Sequence, residues 1–505
     1  MSAATSTTTT STGGPRQGPA RVFDGKKRVL ASAFAGTTIE WYDFYLYGTA
    51  AALVFNVQFF PMATELGGIV ASFATLAVGV IARPLGGIVA GHLGDRIGRK
   101  ALLVASLLLM GVASTLIGLL PTFDAIGWWA VVGLVVLRIL QGLSAGAEWG
   151  GSALLSVEHA PARHRGFFGS FTQIGSSAGM LLATGAFFIV QNVLSAEQFA
   201  SFGWRIPFLL SALLVAVGLW IRLGVSDAPE FLEHQASGRV EKAPLKVLLT
   251  HHRRPLLVTI GLRLAQNAVY YLVTVYMLTY LRDERGDSSS GVTAVMIASA
   301  IGLLSTPFWG WLSDRVGRKV VSVTAYAAIG VFGWVLFAYL EAGPLALLPL
   351  VVILGINLIH DAVYGPQAAW FAEQFPVHVR YSGVSLGYQV GTVLGGGLMP
   401  LIAALLFAAG GDTPWLIAGY LSVLAVLSVI AGLVAKDPAR DQHGTELTEL
   451  HGPAQDPAPG AAAGPAPDAG PVGPATGART PRTTENAAGN AIESAPAGTP
   501  ERTTV

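Results

Sequence analysis

The segments "GHLGDRIGRK" (91–100) and "GWLSDRVGRK" (310–319) are identical at seven of ten positions, and each follows the second long apolar stretch of its half of the chain. A second match aligns "VEHAPARHRGFFGSFTQIG" (157–175) with "AEQFPVHVRYSGVSLGYQVG" (372–391), with one residue inserted in the later copy. Charged positions that stay in register are not expected by chance in apolar sequence. The chain is therefore predicted to be a duplicated unit, as in many transporters.

The composition is that of a membrane protein. Of the 505 residues, 52% are hydrophobic and 12% are charged, whereas a soluble domain has about 25% charged residues. The absence of cysteine excludes a disulfide scaffold, a thiol nucleophile and a zinc–thiolate site. The near balance of 31 basic and 30 acidic residues argues against a nucleic-acid binder.

Twelve apolar stretches reach the length of about 20 residues that a membrane-spanning helix needs. They are residues 29–56, 66–91, 102–121, 127–155, 166–193, 204–223, 255–281, 291–312, 320–340, 346–371, 383–409 and 414–435. The pattern predicts an all-α membrane protein with twelve transmembrane helices in two pseudo-symmetric six-helix bundles.

The placement of Lys and Arg predicts the orientation of these helices. The basic clusters fall on the side of the N-terminus, the even-numbered connections and the C-terminal flank, which should be cytoplasmic. The first 20 residues lack the apolar core of a signal peptide, so the first spanning helix is expected to direct insertion. The predicted organisation is a disordered N-terminus (1–25), an N-terminal bundle (26–223), a cytoplasmic loop (224–254), a C-terminal bundle (255–436) and a disordered Pro/Ala/Gly-rich tail (437–505).

Several motifs carry a family resemblance. The duplicated Asp-Arg-x-Gly-Arg-Lys loop resembles the signature of the major facilitator superfamily, and "RILQGLSAGAEWGG" (138–151) resembles its fourth-helix motif. Together with "EWYDFYLYG" (40–48), "RPLGG" (83–87) and "GWRIPF" (203–208), these motifs resemble the metabolite:proton symporters, which carry shikimate, α-ketoglutarate, citrate, or proline and betaine. The resemblance implies the major facilitator fold in a bacterial cytoplasmic membrane, acting as a monomer.

Two acidic residues lie in the first apolar stretch. Glu40 and Asp43 are three residues apart and share a helix face. Two close carboxylates in a cavity of low dielectric constant do not both ionise easily, which suits reversible proton binding. The alternative is a structural pair with a neighbouring arginine. Tyr42 and Tyr47 on the same helix are expected to form an aromatic substrate wall.

The second and fourth apolar stretches supply further polar candidates. The resemblance implies that Arg138 lies near the central cavity and responds to the protonation of an acid. Gln141, one turn further on, and Glu148, about 15 Å beyond Arg138 at the helical rise, are predicted substrate contacts. Arg83 is open to a structural or a functional interpretation.

The seventh stretch carries a polar stripe, in which Arg263, Asn267 and Tyr270 recur at helical spacing. The planar guanidinium of Arg263 matches a carboxylate with two hydrogen bonds, so it is a candidate substrate contact or the structural partner of an acid. Gln389 in the eleventh stretch is a further candidate contact.

The tenth stretch contains His360 next to Asp361. An intramembrane histidine is often only hydrogen-bonded packing, but the adjacent acid makes a proton-linked pair an equal alternative.

Charged residues at the cytoplasmic helix ends form a predicted gate between the two bundles. Such residues can make ion-pair and charge–dipole contacts that form in one state and break in another. The alternative, that their positive charge only fixes topology, is compatible with this role. The predicted gate comprises Asp95, Arg96, Arg99, Glu158, Arg165, Asp314, Arg315, Arg318, Glu373 and Arg380.

The resemblance predicts a proton-coupled symporter that imports a small organic acid, such as shikimate or a dicarboxylate, by alternating access. The alternatives are a proline or betaine symporter, with the quaternary ammonium on tyrosine rings, and a uniporter or antiporter of the same fold. No nucleotide loop, metal cluster or nucleophile–base set predicts an enzyme. We expect no cofactor or metal besides the coupling proton, and no nucleic-acid partner.

Overall fold

The computed structural model describes residues 27–61, 65–97, 99–225, 244–287 and 289–438. Side chains are described throughout these ranges except at 52, 53, 56, 65–73, 76, 77, 94–97 and 99. The predicted disordered N-terminus and nearly all of the predicted disordered tail lie outside the described residues, as does most of the loop 224–254. The described part of that loop contains a short helix, Pro244–His251.

The described residues form twelve long helices in the order that the apolar stretches predict, without a β-strand among them. A π-helical turn, Ala51–Phe55, extends the first helix. The helices are α1 (Lys27–Ala50), α2 (Glu65–Ile97), α3 (Arg99–Leu119), α4 (Trp128–Glu158), α5 (Arg165–Val193), α6 (Arg205–Leu223), α7 (Arg253–Arg285), α8 (Ser290–Val316), α9 (Arg318–Ala342), α10 (Leu345–Glu373), α11 (Val377–Ala409) and α12 (Trp415–Val434).

Ten of these helices, α3 to α12, are long and apolar enough to cross a membrane. The acids and tyrosines of α1 lower its hydropathy, and α2 qualifies only as a shorter apolar helix, Val78–Leu93. Large apolar side chains such as Leu304 and Trp220, 77% and 72% exposed, cover the outer surface as lipid-facing residues do. The predicted all-α membrane fold is confirmed.

The helix contacts repeat between the two halves of the chain. α1 packs on α5, α2 on α4 and α3 on α6, and the second half has the matching pairs α7 with α11, α8 with α10 and α9 with α12. The halves meet along two seams, α2 with α11 and α5 with α8. Because α2 corresponds to α8 and α5 to α11 in the duplication, the two seams are equivalent. The duplicated sequence therefore folds as two six-helix bundles joined along two equivalent seams.

Glycines allow α2 and α4 to approach closely. A Cβ atom built on Gly146 meets the backbone oxygen of Arg83, and one built on Gly142 meets the backbone oxygen of Gly79. A backbone atom cannot turn aside as a flexible side chain can, so a larger residue at either position would push the helices apart. This packing holds the backbone from which the Arg83 side chain projects.

We expect Gly146→Val to lower the free energy of unfolding by roughly 1–3 kcal/mol, because overpacking strains both helices. Gly185→Val is the matched control, since a Cβ atom at Gly185 meets nothing within 4 Å. Thermal unfolding of the detergent-solubilised protein, followed by tryptophan fluorescence, measures the difference. Equal midpoints for the two variants would contradict the close-packing argument.

Candidate functional site

Among the described residues, two cavities lined by charged and polar side chains lie between the helices. The N-half cavity is lined by Glu40, Asp43, Phe44, Gly79, Arg83, Met110, Arg138, Gln141, Gly142 and Ala145. The C-half cavity is lined by Trp41, Arg263, Gln266, Asn267, Tyr270, His360 and Tyr364. Trp41 of α1 lines the C-half cavity, so both halves of the chain contribute to it.

Glu40 forms a loose ion pair in the N-half cavity. Its Oε1 atom lies 3.4 Å from Nη2 of Arg83, and both side chains are buried. Its second oxygen has no hydrogen-bond partner. The Arg83 guanidinium also lies over the Phe44 ring, 5.3 Å from its centre. The carboxylate of Glu40 is therefore only partly compensated.

Asp43 bonds to a hydroxyl group. Ser211 Oγ donates to its Oδ1 at 2.7 Å, and Oδ2 has no hydrogen-bond partner. Arg138 donates to Gln141 Oε1 at 2.9 Å, and its guanidinium lies 4.1 Å from the centre of the Tyr47 ring. Asp43 and Glu40 thus each have an oxygen that can take a proton without breaking an existing hydrogen bond.

The two tyrosines of the predicted substrate wall lie inside the N-terminal half. Tyr42 donates to a backbone oxygen of α6 at 2.7 Å, and the Tyr47 hydroxyl lies 2.6 Å from a threonine hydroxyl of α2. Neither is among the residues that line the two cavities. The cavity-facing aromatic residues of α1 are Trp41 and Phe44, which are offset from Tyr42 and Tyr47 around the helix.

Glu148 forms a closed ion pair with Arg222, a residue that sequence analysis did not single out. Arg222 Nη2 and Nη1 donate to its two oxygens at 2.5 and 2.9 Å. Ser152 and Ser106 donate to the same carboxylate at 2.6 and 3.0 Å. Every oxygen of Glu148 is thus occupied, and the residue lies outside the lining of both cavities. This geometry favours a structural role over the predicted substrate contact.

Arg263 is a buried cation whose hydrogen-bond partners among the described residues are all neutral. Its Nη1 donates to Gln266 and, at 2.7 Å, to Gln367 Oε1, while Nε donates to a threonine hydroxyl of α11 at 3.2 Å. The guanidinium lies 3.8 Å from the centre of the Tyr388 ring. Within the described residues no carboxylate forms an ion pair with Arg263, although Glu40 interacts with it electrostatically from α1. An anion entering the C-half cavity would meet a positive charge that has no directly bound carboxylate.

His360 and Asp361 form the pair that their adjacency predicts. His360 Nδ1 lies 2.9 Å from Asp361 Oδ1. Asn357 and Ser305 donate to the other carboxylate oxygen. The pair sits where a π-helical segment of α10, Leu354–His360, returns to regular helix, and such segments are frequent at functional sites.

The remaining predicted substrate contacts lie in the C-half cavity, in the N-half cavity and at a seam between the halves. Asn267 lines the cavity and donates to a backbone oxygen of α11 at 2.9 Å. Tyr270 also lines it, and its hydroxyl bonds across the halves to Tyr45 of α1. Gln389 instead lies 3.3 Å from the Gly146 oxygen, in contact with the N-terminal half. Gln141 lines the N-half cavity.

Several predicted gate residues meet where α4, α8 and α10 end. Asp314 of α8 accepts two backbone hydrogen bonds at the start of α5, both at 2.8 Å, across one seam. Arg380 bonds to Glu158 at 3.2 Å, which also joins the halves. Arg318 pairs with Asp314 at 3.0 Å and with Glu373 at 2.8 Å within its own half. The two halves are therefore connected by charged groups at this end.

Arg165 and Arg315, the other predicted gate residues whose side chains are described, have different surroundings. Arg315 lies over the Trp311 ring, 3.9 Å from its centre, away from the seam contacts. Arg165 begins α5 beside the backbone groups that Asp314 binds. The side chains of Asp95, Arg96 and Arg99 lie outside those that the structure describes.

A family model described as the Major Facilitator Superfamily matches residues 33–387. The chain belongs to this superfamily. It is 40% identical to the shikimate transporter of Escherichia coli (strain K12), over 82% of this chain and 95% of that protein. It is 34% identical to the proline/betaine transporter of the same strain, over 83% and 85%. The resemblance to metabolite transporters of this superfamily is confirmed.

Solved structures agree with the superfamily fold. The proton:xylose symporter XylE bound to 6-bromo-6-deoxy-D-glucose aligns with a TM-score of 0.67 over 82% of this chain and 95% of that structure. At 16% sequence identity this likeness concerns the fold alone.

We expect Glu148→Met and Arg222→Met each to lower the free energy of unfolding by about 3–5 kcal/mol, because each leaves an uncompensated buried charge. The double variant should recover much of this loss. Thermal unfolding of the three proteins measures the recovery. Stable folding of Glu148→Met, with loss of substrate binding, would instead favour a substrate contact.

In Asp314→Ala the N-terminus of α5 loses the carboxylate that accepts its backbone hydrogen bonds. We therefore expect about a tenfold larger population of the state in which α5 and α8 are separated. The chain contains no cysteine, so spin labels at Ala162→Cys and Val316→Cys report the distance by electron–electron resonance. Asp124→Ala, in the α3–α4 connection, is the control. An unchanged distance distribution in Asp314→Ala would contradict the gate contact.

Proposed function

We propose that this protein is a proton-coupled symporter that imports a small organic carboxylate by alternating access. The single observation that carries the proposal is Arg263, which lines the C-half cavity without a bound carboxylate among the described residues. A buried cation without a paired acid is costly, and a substrate carboxylate would complete its surroundings with charge-assisted hydrogen bonds.

The coupling proton is assigned to the N-half cavity. Glu40 and Asp43 each keep one carboxylate oxygen without a partner, and both are buried. Protonation would remove one buried charge and lower the cost of closing the cavity around the substrate. Arg83 and Arg138, which line the same cavity, would lose an attractive charge on protonation and could respond by moving.

Alternating access is assigned to the two seams. The charged contacts of Asp314 and of Glu158 with Arg380 join the halves at one end. The excess of basic residues at that end is the reason to assign it to the cytoplasm, with both termini on the same side of a bacterial cytoplasmic membrane. The contacts would break as the bundles rock and open that end.

A zwitterion such as glycine betaine is the second candidate cargo. Trp41 stacks on Tyr45 with ring centres 5.6 Å apart, and Tyr270 lies 6.2 Å from Trp41. These rings stand in the same cavity region as Arg263, so a quaternary ammonium could lie on them while the carboxylate binds the guanidinium. The 34% identity to a proline/betaine transporter also supports this candidate.

Uptake into proteoliposomes with an imposed inward proton gradient tests the proposal, with shikimate and glycine betaine as probes. We expect gradient-driven accumulation of shikimate. Accumulation of glycine betaine alone would favour the second candidate, and uptake that ignores the gradient would contradict proton symport. Glu40→Gln or Asp43→Asn should abolish accumulation while exchange continues. If both variants still accumulate substrate, the assignment of the proton to these acids is wrong.

We expect Arg263→Met to weaken shikimate binding by about 10- to 100-fold, the effect of losing charge-assisted hydrogen bonds. Arg282→Met is the control, because Arg282 is exposed and pairs with its neighbour Asp283. Equilibrium binding of labelled shikimate measures both variants. Undiminished binding in Arg263→Met would remove the contact.

A further inference from the structure

A continuous hydrogen-bond chain links Arg263 to Asp361 through two residues. Arg263 Nη1 donates to Gln266 Oε1, and Gln266 Nε2 lies 2.5 Å from His360 Nε2. His360 Nδ1 in turn lies 2.9 Å from Asp361 Oδ1. All these side chains are buried, with at most 3% of their surface exposed. The two middle residues also line the C-half cavity.

The chain can run in only one direction. Arginine only donates, so Gln266 receives it with its oxygen and turns its amide nitrogen toward His360. An amide nitrogen also only donates, so His360 Nε2 must accept. The imidazole is then neutral, with its proton on Nδ1 directed at the Asp361 carboxylate.

A second proton on His360 removes the acceptor that the Gln266 amide group needs. A protonated Nε2 cannot accept, and it faces another donor. The contact is restored when the Gln266 amide turns over and presents its oxygen to His360. The NH₂ group of Gln266 then faces Arg263, which loses one hydrogen-bond acceptor. Two cations, Arg263 and protonated His360, now lie beside the same cavity.

We propose that Gln266 is the positioning residue that couples a proton on His360 to a carboxylate on Arg263. The inference rests on the proposed function, because it assumes that Arg263 binds the substrate anion. The bound carboxylate replaces the acceptor that Gln266 withdraws and offsets the second positive charge. Proton and anion therefore favour the binding of each other, separately from Glu40 and Asp43.

The other groups around His360 do not provide this connection. The rings of Tyr270 and Tyr364 pack on the imidazole, each with its centre 5.0 Å away. Within the described residues, only Gln266 bonds to both His360 and Arg263. The titratable groups in contact with His360 are Asp361, Tyr270 and Tyr364. Arg263 is joined to it through Gln266. From α1, Tyr45 bonds to Tyr270 and Glu40 interacts electrostatically with Arg263.

The first test is the tautomer of His360 in the substrate-free protein. Its ¹⁵N resonances in lipid nanodiscs are assigned by their loss in His360→Gln. We expect the neutral form with the proton on Nδ1. A proton on Nε2 would overturn the proposed direction of the chain. In Gln266→Glu, both carboxylate oxygens accept, so we expect doubly protonated His360 to persist to higher pH, and an unchanged titration would also overturn the inference.

The second test measures how shikimate changes the pH at which His360 gains its second proton. We expect saturating shikimate to raise this pH by about one unit in the wild type, a coupling of about tenfold, and to leave it unchanged in Gln266→Met. Gln374→Met is the control, because Gln374 is a buried glutamine that bonds to backbone groups of α10 and Lys436. It should keep the wild-type shift.

The outcomes separate the two proposals. A full shift in Gln266→Met would show that charge alone couples the sites and would overturn the role of Gln266. Bound shikimate without a shift in the wild type would overturn it as well. Failure of shikimate and glycine betaine to bind would count against the proposed function, while the tautomer and the Gln266→Glu titration would still decide the direction of the chain.

Discussion

A charge inside a membrane-spanning bundle must be compensated by the protein, because little water is present to solvate it. This chain compensates its buried charges to different degrees. Glu148 and Arg222 satisfy each other completely, Glu40 meets Arg83 at one oxygen, and Arg263 rests on neutral oxygens and an aromatic ring. The completed pair stabilises the fold, whereas the incomplete groups are available to a proton and an anion.

The duplicated architecture brings these groups close to the contact between the two halves. Tyr388 of α11 supports the Arg263 guanidinium on one side and stacks on Trp149 of α4, with ring centres 3.5 Å apart. One side chain thus contacts both the candidate substrate group and the opposite half. The proposed anion site at Arg263 and the fit between the halves therefore share a physical connection, which the proposed alternating access would use.

Sequence reasoning found the ionisable candidates because such residues are rare in an apolar stretch. Arg263 and the His360–Asp361 pair stood out for that reason, and the structure places them beside one cavity. Gln266 was not found, because its role depends on a contact with His360 of α10, which the spacing of polar residues along α7 does not show. Arg222 was also missed, because an arginine at the end of a spanning helix is indistinguishable from the positive charge that fixes topology.

The sequence by itself determined the duplication, the number and order of the helices, and the positions at which buried charge would need an explanation. These follow from local hydropathy and internal repetition, which need no knowledge of contacts. Only the tertiary structure decided which charges are paired and which face a cavity. Tyr42 and Glu148 show the difference. Whether a side chain points toward a seam, a cavity or a neighbouring helix depends on how its helix is rotated about its axis. That rotation is set by packing between segments that are distant in the sequence.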